Sequence, residues 1–103
     1  MNQLISAIYQ EKNHFVCRQT GDELLLIPLK DNVADFNQYL TLNEVGAFIW
    51  ENMDEGDDET TLVVKICAEF EANEDEVMND LHAFLEKLRS YLDIQWWIKI
   101  KFM

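Results

Sequence analysis

A chain of 103 residues, 49% of them apolar, can bury one modest core and is too hydrophobic to remain unfolded. Twenty acidic residues against eight basic ones leave a formal charge of −12, so the surface repels phosphate backbones and anionic lipid. Nucleic acid and membrane are excluded as expected partners, whereas a basic peptide or a basic patch on another protein is tolerated.

The opening "MNQLISAIYQEK" lacks the basic start and unbroken apolar stretch of a signal peptide. No run approaches the roughly 20 apolar residues of a membrane span. A cytoplasmic protein is expected, and without repeats or linkers residues 1–103 are expected to form a single domain.

In chain order, "LISAIY" (4–9) reads as a weak strand. "HFVCRQTGDELLLIPL" (14–29) holds two β-prone runs around Thr20, Gly21 and Asp22, a hairpin whose glycine supplies positive φ. Pro28 has no N–H for the ladder and should end the second strand or lie on its edge. "KDNVADFNQ" reads as a loop turning at Asp31 and Asn32, and "QYLTL" (38–42) as a third strand.

Asn43 can cap the helix that follows, in which Val45, Phe48, Ile49 and Met53 recur at helical spacing. Gly46 in its first turn lets the helix lie close to a neighbour. An acidic turn, "MDEGDDE" (53–59), precedes a second helix capped by Thr60 or Thr61, with Leu62, Val63, Ile66, Cys67 and Phe70 as its apolar stripe. Asn73 with Glu76 opens a third helix, and Val77, Leu81, Phe84, Leu85, Leu88 and Leu92 share one face. "IQWWIKIKF" (94–102) alternates with period two and predicts a last strand, with Trp97 off its apolar face.

No catalytic set assembles. His14 and His82 lie at no metal-binding spacing, and the glycines are too scattered to cradle a phosphate. Cys17 and Cys67 form no CxxC pair and read as small core hydrophobes with free thiols, a disulfide between them being the other reading. The acidic run 54–59 does not match a calcium loop and reads as a solvated turn. Neither metal nor cofactor is expected, nor enzymatic activity.

Leu42-Asn43-Glu44 running to Ile49-Trp50, then an acidic turn, a short helix and a capped helix ending "FLEKL", resembles the PqqD-like family of RiPP recognition elements. The resemblance covers about residues 14–92; its most specific parts are "LNEVGAFIW" and "VMNDLHAFLEKL". It departs from the family at Ser90-Tyr91-Leu92, where a glycine and an apolar residue are usual, and in the extension 93–103.

The resemblance implies an α+β, winged-helix-like fold: a three-stranded antiparallel sheet followed by three helices, here with an extra C-terminal strand. It implies a non-catalytic peptide chaperone. Such a module captures the leader of a ribosomally made precursor peptide for a separate modifying enzyme, a radical-SAM enzyme or a lasso-type peptidase and cyclase. The leader would add as a strand on Gln38, Tyr39, Leu40, Thr41 and Leu42, with Met78, Leu81, His82 and Leu85 lining the helical side. Two alternatives stand beside this reading. One is an interaction subunit forming a homodimer through the C-terminal strand and Trp97. The other is a winged-helix DNA-binding regulator, disfavoured by Glu74, Asp75, Glu76, Asp80 and Glu86 on the would-be recognition helix.

Overall fold

Left-handed residues decide where the sheet turns. The computed structural model describes the backbone of residues 2–101 and the side chains of residues 2–91. Strands β1 (Phe15–Thr20) and β2 (Glu23–Lys30) pair antiparallel from Phe15↔Pro28 to Thr20↔Glu23. Gly21 takes φ of 59° in the loop between them, as the glycine there predicted. A second tight turn follows at Asp31 (φ 54°) and Asn32 (φ 65°), residue types that tolerate this region. That turn starts a strand absent from the sequence reading, β3 (Val33–Ala34), which pairs back on β2. Strand β4 (Leu40–Leu42) then also pairs antiparallel with β2.

The chain divides into two units, Tyr9–Asp54 and Met1–Ile8 with Glu55–Met103. The first contains the whole sheet and helix α2 (Glu44–Asn52), which packs on β2 and β4. Leu24, Leu26, Ile27, Leu42, Ile49, Trp50 and Met53 are its buried apolar residues. The Phe15 ring meets Trp50 edge-on at 5.7 Å and 87°. Lys12 Nζ lies 5.8 Å from the Trp50 ring and donates to Met53 O at 3.4 Å; burial among these groups holds its pKa below the usual lysine value. Asn43 caps α2 as predicted: its Oδ1 accepts from Gly46 N at 2.9 Å, and its carbonyl accepts from Ala47 N at 2.8 Å. Gly46 is buried in that first turn.

In the second unit helix α3 (Glu59–Phe70) packs on helix α4 (Glu74–Lys101). Leu62, Val63, Ile66, Val77, Leu81, Leu85 and Leu88 are buried, the stripes the helical spacing predicts. The α3 cap is neither Thr60 nor Thr61 but Asp58, whose carboxylate accepts from Thr61 N and Thr61 Oγ1, each at 2.8 Å. The threonine is the donor in this motif, which is why spacing alone misplaced the cap. Glu71, at φ 50°, ends the helix and donates to Cys67 O at 3.0 Å. Asn73 Oδ1 accepts from Asp75 N at 2.8 Å, which starts α4.

Three expectations fail. Residues 4–9 are not a strand but lie in helix α1 (Asn2–Glu11), because Ile5 and Ile8, three apart, are its buried residues. The strand expected at 94–102 gives way to helix through Lys101. No glycine or proline interrupts 74–101, and Ile94, Trp97, Ile98 and Lys101 also satisfy helical spacing. A continuing helix gains a hydrogen bond per residue, whereas a strand needs a partner. The side chain of Trp97 lies outside the described residues, as do Phe102 and Met103. Finally, Cys17 is exposed on β1 rather than core, and Cys67 is half-buried. The antiparallel sheet followed by α2, α3 and α4 is the expected α+β architecture, with β3 and α1 added.

Candidate functional site

Among the described residues, β4 pairs with β2 and with no other strand, so one side of its backbone is an edge. Which residue faces that edge follows from Pro28. Its ladder with β1 is continuous, yet its carbonyl accepts from Asp35 N at 2.8 Å and so points away from β1. Main-chain groups alternate in direction along a strand, so Leu26 and Leu24 point to the same side as Pro28. Residues 24–26 pair with β1 and β4 at once, which places β4 on that side. Leu40 and Leu42 therefore share hydrogen bonds with Leu26 and Leu24. Thr41, opposite Leu25, is the non-hydrogen-bonded position, and its N–H and C=O are aimed at the open edge.

The same alternation puts β3 on the β4 side of β2. One lateral edge thus runs from β3 through the segment 35–39 to β4. Asp35 organises that segment: its Oδ1 accepts from Asn37 N at 3.1 Å and its carbonyl from Gln38 N at 3.2 Å. Gln38 therefore belongs to the turn, and the extended edge starts after it. Leu42 is buried, Leu40 and Thr41 are half-buried, and Tyr39 is 53% exposed.

On α4, Leu81 and Leu85 are fully buried, while Met78 and His82 are half-buried. His82 Nε2 is shielded from solvent and lies against Glu59 Oε1, joining α4 to the first residue of α3. Of the named helical residues, Met78 and His82 carry the accessible surface. In the acidic turn, Asp57 receives Lys65 Nζ at 2.7 Å and Asp58 is occupied as a cap. Among the described residues no three histidine, cysteine, aspartate or glutamate side chains gather at metal distance.

Two features escaped the sequence reading. The sheet has a second lateral edge, β1, whose residues after Phe15 are all exposed. Among the described residues, Val33, Phe36 and Tyr39, 67%, 57% and 53% exposed, are three of the five large hydrophobic residues that stand out from the surface. Their recurrence every third position in an otherwise polar loop was the available signal.

Among solved structures, the chain is similar to that of TbiB1 in complex with the TbiA(beta) leader peptide. The two are 31% identical, with a TM-score of 0.58 over 76% of this chain and 85% of the other. Among curated proteins, none matches the sequence significantly. The family model of Coenzyme PQQ synthesis protein D (PqqD) matches residues 22–91, from the β1–β2 turn into α4. A match over most of the chain, on this arrangement of antiparallel sheet and helices, places the protein in the PqqD family.

Proposed function

We propose that this protein is a non-catalytic module that captures the leader of a ribosomally made precursor peptide and presents it to a separate modifying enzyme. The observation that carries the reading is the half-paired β4, with the main chain of Thr41 turned outward. An extended peptide can complete such an edge, taking affinity from main-chain hydrogen bonds and selectivity from side chains on alternate positions. The leader-peptide complex of the solved relative supports a leader peptide as the ligand.

The proposed peptide-binding residues are Gln38, Tyr39, Leu40, Thr41 and Leu42 of the edge, and Met78, Leu81, His82 and Leu85 of α4. Met78 and His82 are half-buried and offer side-chain surface, whereas Leu81 and Leu85 are fully buried. The modifying enzyme is a radical-SAM enzyme or a lasso-type peptidase and cyclase. With a formal charge of −12 on this chain, a basic patch on that enzyme is the favoured docking surface.

Isothermal titration with the leaders of short precursor genes neighbouring this one tests the proposal. Saturable binding at micromolar concentration is expected, weakened by Thr41→Pro. Absence of binding for every such leader at high micromolar concentration refutes it. The β1 edge is the second reading, favoured by its six-residue length. It is selected if Cys17→Pro, whose N–H faces away from β2 because it lies opposite Leu26, rather than Thr41→Pro, abolishes binding.

A further inference from the structure

Strand β4 offers only three residues, about 10 Å of ladder at the usual rise per residue. A peptide held as a strand is longer than this, so part of it must travel beyond β4. At the Asn43 end the chain turns at once into α2. At the other end the edge continues past Tyr39 and the 35–39 segment toward β3, on the same side of β2. Along this path stand Tyr39, Phe36 and Val33, an apolar series on a chain that is otherwise strongly acidic.

Nothing in the architecture of the sheet requires aromatic side chains there. The 35–39 turn is held by Asp35 through its own carboxylate and carbonyl, not by burial of Phe36. A ring left more than half in water is stabilised by whatever removes it from water. Single exposed hydrophobics need no explanation, but three in seven residues beside an open strand edge do.

We infer that Phe36, with Tyr39 and Val33, is a specificity site for an apolar or aromatic side chain of the precursor peptide. That side chain lies next to the segment that pairs with Thr41, on the part of the peptide that runs on past Tyr39. The inference rests on the peptide-binding reading above and adds a chemical requirement to it: main-chain pairing supplies the register, and the Phe36 surface selects the sequence.

A phage-displayed library of random twelve-residue peptides, selected on the full-length protein, tests this. Selection on the wild type should enrich peptides carrying a large apolar residue at a fixed offset from a strand-forming segment. Phe36→Ser, at an exposed position that leaves the fold intact by circular dichroism, should erase the preference at that offset and weaken the best wild-type peptide about tenfold. Phe36→Leu should largely retain it.

Replacing that peptide residue by serine should cost the wild type about tenfold and Phe36→Ser almost nothing. Equal enrichment and affinity on wild type and Phe36→Ser overturns the specificity site while leaving peptide binding in place. No enrichment on any variant overturns the peptide-binding reading itself. A wild type that is dimeric by light scattering and becomes monomeric in Phe36→Ser shows the surface to be covered by a second copy, which also overturns the inference.

Discussion

Replacing Thr41 by proline separates the two sides of β4. Proline removes one N–H and fixes φ near −65°, so it is tolerated in a sheet only where the lost donor faces away from a partner strand. The Pro28 carbonyl on Asp35 N sets the alternation that turns the Thr41 N–H outward. Thr41→Pro should therefore leave the β2–β4 hydrogen bonds intact and cost about 1 kcal/mol at most, from the shift in φ.

Leu40→Pro deletes a donor shared with Leu26 and half-buried side-chain surface besides, and should cost about 3 kcal/mol. For peptide binding the order reverses in meaning. Thr41→Pro loses one interstrand hydrogen bond, about 1 kcal/mol, and its ring obstructs the incoming strand, so affinity should fall at least about tenfold. Urea denaturation followed by circular dichroism, with titration calorimetry on the same samples, gives both numbers. If Thr41→Pro unfolds the protein as Leu40→Pro does, the assigned direction of the Thr41 main chain is wrong. If it folds and binds at full strength, the β4 edge is not where the peptide pairs.

Further outcomes follow from the same contacts. Asn43→Ala removes the acceptor of the Gly46 N–H, a donor in a buried residue, and should destabilise by about 1–2 kcal/mol, against a few tenths for Asn43→Gly, in urea titrations. Trp50→Ala removes the largest fully buried side chain among the described residues and its edge contact with Phe15; a loss of about 3–5 kcal/mol should appear as a lowered denaturation midpoint. The Thr61 N–H and hydroxyl hold the Asp58 carboxyl below the usual carboxylate range. The contribution of Asp58 is therefore present above that range and lost as pH falls through the lowered folded value. Thermal melts should show the gap between wild type and Asp58→Ala widest near neutral pH and closing on acidification.

The parts of the fold that were legible in the sequence are those specified by neighbours in the chain. Gly21 between two β-prone runs, Asn43 before an apolar helical series and Asn73 at the head of α4 each state their structure within a few residues. Residues 4–9 were not legible because a short apolar run fits strand and helix alike, and only burial of Ile5 and Ile8 decides. Residues 94–101 misled for the opposite reason: their alternation is genuine, but a strand needs a partner that no local pattern can supply. The β3 pairing was hidden by its length of two residues. Of the candidate site, its strand could be read, but its open direction could not. That depends on the Pro28–Asp35 bond and on β1 occupying the far flank, neither of which leaves a local mark.

The brevity of β4 has a consequence for how this protein survives at high concentration. A long, flat, unoccupied ribbon invites identical molecules to stack on one another without limit, the route to fibres. On the β4 side of the sheet the border is cut into two residues of β3 and three of β4, divided by the turn that Asp35 holds. A thin, pliable guest can thread such a broken border, whereas the equally broken border of a sister molecule cannot mate with it along any useful length. Interruption thus leaves this border receptive to a single pliable ligand while offering a second copy little to pair with.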